Sequence, residues 1–309
     1  MKLLIAIPAF NEEGSVLSTL KSILEVKISK NVDIVLVNDG SKDRTSDLVK
    51  NMYSEVKIIN SLQNQGLAAV FNSIMKYSEK NNYDYLVIFD ADGQYPSQDI
   101  VHFVEYCRAN KLDILIGTRN FSDINHFSLF KKFLQIFGSF VVSKYISLKI
   151  SDVTSGFRIY SKNCFGELYC FNDFTYTIET LFQASSKNLI IGNKPLSKIS
   201  ETRESRLFRT NFEYVSKSLR IIFKSALIYN KKVVNYLFLF FLTPGFYLVS
   251  RFFTRYISEG NNPGNIQSLT VGSVYLIMIF ITFVIIKTHI SQILLGRDLL
   301  KNTALPKHE

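Results

Sequence analysis

"YLVIFDADGQYPSQDI", residues 85–100, sets a short apolar run directly before two acids placed one residue apart. The run Tyr85-Leu86-Val87-Ile88-Phe89 reads as a buried β-strand. Asp90 and Asp92 stand where that strand leaves the core, and Gly93 and Gln94 follow them. Two carboxylates this close repel each other unless a cation sits between them. Mg²⁺ and Mn²⁺ suit such a place, because each takes one or two carboxylates together with phosphate oxygens. The stretch therefore predicts a strand end that holds a metal and, through it, a diphosphate. Acid-x-acid pairs are common in proteins, so the weight of this reading comes from what surrounds it.

What surrounds it is an alternation of strand and helix. Strand-like runs occupy Leu3–Ile7, Asp33–Val37, Val56–Ile59, Tyr85–Phe89 and Asp113–Ile116, and helix-like stretches lie near 13–27, 43–53, 66–80 and 97–109. This βαβα pattern predicts an α/β fold, a parallel sheet with helices on both faces. Such sheets bind ligands beyond the carboxyl ends of their strands. Three polar loops fall at such ends, Pro8–Glu13, Asn38–Thr45 and Asp90–Gln94, and are expected to converge.

The chain has 309 residues, is 47% hydrophobic with 26 Phe and 16 Tyr, and carries a net charge of +10. Greasiness combined with basicity suits a surface pressed against anionic lipid. Nucleic acid is not indicated: there is no zinc-finger spacing, RNP-type motif or Lys/Arg-rich tract. Cys107, Cys164 and Cys170 form no C-x-x-C and read as reduced thiols of a cytoplasmic domain. His102, His126, His289 and His308 lack any ligand spacing. The opening "MKLLIAIPAFNEE" is broken by Pro8 and runs straight into acids, so it reads as a first strand rather than a signal peptide.

The C-terminal third changes character. Val233–Val249 and Leu269–Ile286 are uncharged, and each is long enough for a bilayer span of roughly 17–25 residues. Lys217, Arg220, Lys224, Lys231 and Lys232 flank them on one side, Lys287, Arg297, Lys301 and Lys307 on the other. The basic residues of the link 250–268 are Arg251 and Arg255, so the positive-inside rule places both flanks in the cytoplasm and the link outside. Two Phe- and Lys-rich stretches precede the spans. Residues 126–149 fit either a core-facing amphipathic helix or one lying on the membrane surface, and 207–232, directly before the first span, favours the surface. The expected organisation is a catalytic domain over 1–206, a juxtamembrane region over 207–232, a two-helix membrane region over 233–288 and a cytoplasmic tail over 289–309. Self-association of the spans through Gly272 and Ser273 is a further expectation.

Seven stretches occur in order: "IPAFNEE" (7–13), "VNDGSKDRT" (37–45), "NQGLAA" (64–69), "FDADGQYPSQDI" (89–100), "GTR" (117–119), "SDVTSGFRIYSKNCF" (151–165) and "TRESRLF" (202–208). Together they resemble the family 2 glycosyltransferases of GT-A, Rossmann-like fold. Within these they are most similar to the polyprenyl-phosphate group that holds dolichol-phosphate mannose synthase and the GtrB-type glucosyltransferases. The resemblance spans about residues 1–230. It implies that Pro8, Phe10, Glu12, Asn38 and Asp39 line the nucleotide pocket, that Asp90 bridges towards ribose and metal, and that Asp92 and Gln94 coordinate the metal. It implies an acceptor phosphate held by Arg119 with Lys131 or Lys132, a loop closing over the diphosphate with Arg203 and Arg206, and Asp152 near the reacting centre.

Two positions depart from the family pattern. Asn38 replaces an acid, which leaves the base preference open, and Phe10 replaces a tyrosine, keeping the ring without its hydroxyl. The implied donor is UDP-glucose or a related UDP-hexose, with UDP-GlcNAc, UDP-galactose and GDP-mannose allowed. A lipid monophosphate, whose second pKa lies near ~6, is already a nucleophile at neutral pH. A site for it needs cations rather than a base. The rival is a nonprocessive transferase acting on a sugar hydroxyl, for which Asp152 is the candidate base. A processive synthase would carry Q-x-x-R-W, and the chain has no Trp. A catalytically dead nucleotide-sugar adaptor would not need Asp90, Asp92, Gln94 and Arg119 together.

Overall fold

The computed structural model describes residues 1–26, 28, 31–120, 129–172, 174–197, 199, 211–259 and 263–303. Its first half follows the alternation: β1 (Leu3–Ala9), α1 (Val16–Leu24), β2 (Val32–Asn38), α2 (Thr45–Met52), β3 (Lys57–Asn60), α3 (Leu67–Lys80), β4 (Tyr85–Ile88), α4 (Asp99–Ala109) and β5 (Ile114–Thr118). Then come α5 (Leu129–Ile146), β6 (Arg158–Ser161), α6 (Tyr176–Ser186), β7 (Ile191–Pro195), α7 (Asn211–Tyr229), α8 (Lys231–Glu259) and α9 (Pro263–Thr303). By its contacts the chain divides into two compact units, Met1–Ser225 and Ala226–Glu309.

In the first unit a seven-stranded sheet has the order β3-β2-β1-β4-β6-β5-β7. All of β1 is buried, as a central strand covered on both faces should be. Side chains alternate between faces along a strand. Leu3, Ile5 and Ile7 accordingly share one core with Val16, Leu20 and Ile23 of α1, Val49 of α2, and Ile100, Phe103 and Val104 of α4. On the opposite face Phe71 of α3 stacks on Tyr176 of α6 at 4.7 Å between centroids and meets Tyr160 of β6 edge-on. The parallel register pairs Ala9 with Asn38 and Ala6 with Ile88, so the carboxyl ends of β1, β2 and β4 come out side by side.

The sheet is mixed, not wholly parallel. β6 inserts antiparallel between β4 and β5, pairing Ile159 with Val87 and with Leu115. Strands β6 and β7 escape a periodicity reading because they are short and carry Arg158, Asn193 and Lys194. The insertion matters for the site, since it brings residues 152–157 to the edge where Asp90 emerges.

α5 bears on both readings left open for its segment. Gln135, Ser139, Val142 and Ile146 are buried, while Phe133, Ile136, Phe137 and Phe140 on the other side are exposed. It is a core-facing helix with a bare aromatic back.

The second unit is a helical hairpin. A Cβ added at Gly272 would lie 3.2 Å from the Gly245 carbonyl oxygen, and one at Gly245 only 2.6 Å from Leu276 Cδ2. Small residues let the two backbones approach that closely. Gly272, expected to serve association between copies, is thus used within the chain. Phe238 stacks on Phe283 at 4.0 Å. α8 runs on to Glu259, past Pro244, and α9 starts at Pro263, so both helices extend into the 250–268 stretch. Lys232–Ser258 and Ile266–Gly296 have mean hydropathies of 1.6 and 2.6 and the length to cross a membrane. At 41 residues, α9 is about 60 Å long at 1.5 Å per residue, well beyond one hydrocarbon thickness.

Candidate active site

The first two strand-end loops are stitched together by short polar side chains. Asn11 takes a left-handed backbone (φ 56), which asparagine tolerates. Its N–H donates to Ser41 Oγ at 2.9 Å, and its Oδ1 accepts from the Lys42 N–H at 2.8 Å. The Glu12 N–H donates to Thr45 Oγ1 at 2.8 Å. Asn38 spends its amide on the same junction: Nδ2 donates to Asn60 Oδ1 at 2.9 Å, and Oδ1 accepts from the Ser41 N–H at 3.1 Å. Asp39 is buried and accepts from the Gln65 and Gly66 N–H groups, at 2.9 and 2.8 Å, where α3 begins. These two residues brace the junction of the loops from within. Pro8 is buried at the end of β1, and the Phe10 ring is exposed on the loop that follows.

The third loop joins them. Thr19 of α1 donates to the Ala91 carbonyl at 3.0 Å, and Asp92 Oδ1 accepts from the Gln94 N–H at 2.9 Å, closing a tight turn. Burial and the neighbouring Asp92 charge push the Asp90 carboxyl up to about 7; Glu12 adds to the rise and Arg119 opposes it. The three loops therefore converge, and the acids they bring together, Asp90 above all, would be eased by a cation between them.

That crowding of acids is the fit test for a divalent metal. The donor set is oxygen-only, Asp90 and Asp92 with Gln94 beside them, which suits Mg²⁺ or Mn²⁺. Among the described residues no group of three or more His, Cys, Asp or Glu side chains could hold a metal. The remaining ligands would have to be phosphate oxygens and water.

On the far side of Asp90 stands a buried ion pair. Arg119, at the end of β5, donates from Nε to Asp152 Oδ2 at 2.7 Å and from NH2 to Oδ1 at 3.1 Å, with a third bond to Thr154 Oγ1 at 2.8 Å. The side chains are 10% and 0% exposed. Burial works to raise the Asp152 carboxyl, but the Arg119 charge and hydrogen bonds with those of Thr154 overcome it and hold it below the usual carboxylate range. α5 reaches the same turn: Thr154 Oγ1 donates to Gln135 Oε1 at 2.8 Å, and the Val153 N–H donates to Ser139 Oγ at 3.2 Å.

Arg119 and Asp152, predicted separately, are thus one unit. Lys132 lies half-buried in the first turns of α5, Lys131 is at its start with a side chain outside the described residues, and Arg203 and Arg206 fall outside them altogether. Sequence reasoning missed Gln135, Thr154, Gly156, Tyr95 and Tyr176. Tyr95 and Gly156 stood inside quoted motifs without a role, and nothing in the sequence marks Gln135.

Residues 4–169, more than half of the chain, match the family described as glycosyl transferase family 2. The chain belongs to that family. It is a glycosyltransferase, with relatives named for transfer to polyprenyl phosphates. One is the UDP-N-acetylglucosamine–dolichyl-phosphate N-acetylglucosaminyltransferase of Methanococcus voltae, 27% identical over 62% of this chain and 84% of that protein. Another is the undecaprenyl-phosphate mannosyltransferase of Micrococcus luteus, 26% identical over 52% of this chain and 66% of the relative. Among solved structures, glucosyl-3-phosphoglycerate synthase from Mycobacterium tuberculosis, in complex with Mn²⁺, UDP-glucose and phosphoglyceric acid, superposes with a TM-score of 0.57. At 15% identity over 73% of this chain and 79% of that one, it shows the shared GT-A fold.

Proposed function

We propose that this glycosyltransferase moves a hexose from a UDP-sugar, UDP-glucose first among the candidates, to a polyprenyl phosphate at the cytoplasmic face of a membrane, inverting the anomeric centre. One observation carries the choice of acceptor: Asp152 is already committed to Arg119 and held ionised below its ordinary range. A carboxylate so stabilised is a poor proton acceptor, which counts against a sugar hydroxyl as nucleophile. A lipid phosphate needs no base.

In this reading a phosphate oxygen of the lipid forms a bond to the anomeric carbon while the bond from that carbon to the nucleoside diphosphate breaks. No proton moves. A bound Mg²⁺ or Mn²⁺ would supply charge stabilisation to the departing diphosphate. Asp90, Asp92 and Gln94 would hold the donor end, with Pro8, Phe10, Glu12, Asn38 and Asp39 shaping the nucleotide pocket. The Arg119–Asp152 unit would keep a guanidinium at the acceptor end without a surplus of buried charge. Lys131, Lys132, Arg203 and Arg206 would add cations that hold two phosphate groups near each other.

Membrane attachment is supported by the two spanning-length helices and by bare apolar faces: Phe133, Phe137 and Phe140 on α5, Leu219 and Phe223 on α7. The basic flanks of the spans favour a cytoplasmic catalytic unit by the positive-inside rule. The test is to incubate purified full-length protein with undecaprenyl phosphate and a panel of nucleotide-sugars, then weigh the lipid product. A mass gain of one hexose supports the reading, and no gain with any donor defeats it.

A further inference from the structure

The turn that follows the ion pair, Val153–Gly156, is held by buried side chains on nearly every backbone group. Arg158 is fully buried and makes no ion pair among the described residues. It donates instead to the Val153 carbonyl at 2.8 Å, the Ser155 carbonyl at 3.1 Å and Thr180 Oγ1 at 3.2 Å. The backbone of Gly156 is gripped on both sides by two tyrosines. The Gly156 N–H donates to Tyr95 Oη at 2.8 Å, and Tyr176 Oη donates to the Gly156 carbonyl at 3.0 Å. Both rings are buried, at 4% and 1% exposure.

What this peptide touches gives the grip its meaning. A Cβ at Gly156 would lie 2.4 Å from Asp90 Oδ2 and 3.0 Å from its Cγ and Oδ1. Bare backbone therefore forms the wall against which the Asp90 carboxylate rests, and any side chain there would push the acid aside. Tyr95 belongs to the same loop as Asp90, so its hydroxyl ties the two sides of that contact to each other. Buried backbone groups need partners, and a tyrosine hydroxyl can accept one bond while donating another.

We propose that Tyr95 and Tyr176 are positioning residues: their hydroxyls clamp the Gly156 peptide, and the clamped peptide sets the Asp90 carboxylate for the donor diphosphate and its cation. The inference rests on the reading above, in which Asp90 belongs to the donor site. Through Val153–Gly156 the same clamp joins the donor carboxylate to the Arg119–Asp152 unit, so the two halves of the site share one rigid turn.

The experiment uses full-length protein in detergent and three substitutions, Tyr95→Phe, Tyr176→Phe and Gly156→Ala. Mn²⁺ binding is read by electron paramagnetic resonance and UDP binding in the presence of Mn²⁺ by calorimetry, with donor and acceptor KM measured beside them. Tyr95→Phe keeps the ring and removes only the acceptor of a buried N–H, so UDP–Mn²⁺ affinity and donor KM should each worsen about five- to tenfold. Acceptor KM should change less than twofold, roughly the scatter of such measurements. Gly156→Ala should weaken UDP–Mn²⁺ binding by more than about tenfold. Should the alanine variant fail to fold, the two phenylalanine variants still decide.

Tyr83→Phe is the control. Tyr83 is another buried tyrosine, and it donates to Asp33 at 2.6 Å near the opposite end of β2. Its loss should lower thermal stability and leave binding unchanged. If Tyr95→Phe and Tyr176→Phe behave like Tyr83→Phe, less stable with unaltered UDP–Mn²⁺ affinity, the clamp is merely structural and the proposal is wrong. Wild-type protein that binds neither UDP nor Mn²⁺ would overturn the proposed function as well.

Discussion

Removing Arg119 should destabilise the catalytic unit far more than a surface arginine would, and a second substitution should undo much of the damage. In Arg119→Ala the Asp152 carboxylate, fully buried, keeps the backbone N–H of residue 119 at 3.3 Å and the Thr154 N–H at 3.1 Å, with the Thr154 hydroxyl 2.9 Å away, but no positive charge. Breaking a buried pair from one side costs about 3–5 kcal/mol, because a charge is left uncompensated. Asp152→Asn keeps the shape but turns a donor towards a donor, and should cost about 2–4 kcal/mol. The double variant removes both charges, so its loss should fall short of the sum of the singles by about 1–3 kcal/mol.

Acid provides a second handle on the same pair. The folded Asp152 carboxyl lies below its ordinary value of 3.8. Its contribution to stability is therefore complete above the unfolded value and fades as pH falls through the folded one, so the wild-type advantage over Asp152→Asn should hold from neutrality to about pH 4 and shrink below it. Pulse proteolysis in urea measures the catalytic unit without requiring the membrane helices to unfold. An Arg119→Ala variant destabilised by less than about 1 kcal/mol, with strict additivity in the double, would refute the argument.

Asp92→Asn should keep the fold and lower transfer about a hundredfold at saturating metal, since a cation ligand is lost; near-wild-type turnover at low Mn²⁺ would contradict it. In metal-free protein the Asp90 carboxyl is raised from 3.8 to about 7, so stability should decline as pH rises across that window. Mn²⁺ or Asp92→Asn should flatten the decline, which thermal melts at pH 5 and pH 8 would show. Ser258→Cys should react with a membrane-impermeant maleimide on intact cells, against little background because Cys107, Cys164 and Cys170 are buried; labelling only after permeabilisation would reverse the orientation. Gly272→Leu should open the hairpin, where an added Cβ already meets Leu248 and Val249 at 3.0 Å, and a loss of crosslinking between cysteines placed on α8 and α9 would report it.

The parallel half of the sheet was legible because hydrophobic burial writes itself as uninterrupted runs such as "LLIAI" and "YLVIF", each ending in a polar loop. The acids of the third loop were legible for the same reason, standing where a strand stops. β6 was not, since an antiparallel strand holding Arg158 has no apolar run to betray it. Nor was the pairing of Arg119 with Asp152, 33 residues apart in sequence, because it depends on that strand's placement. Gly272 was read as a packing residue between copies, and the structure sets it against Gly245 of the same chain: a small-residue surface is the same whether the facing helix belongs to the same chain or to another copy.

The most direct test of the central claim compares acceptors that differ only in the phosphate. Purified protein with a labelled UDP-hexose and Mg²⁺ is offered undecaprenyl phosphate, undecaprenol and a neutral glycolipid in parallel. Transfer to undecaprenyl phosphate alone, giving a product in which the sugar is released by mild acid, is the predicted result. Equal or faster transfer to the glycolipid hydroxyl, abolished by Asp152→Asn but not by Arg119→Ala, would contradict it.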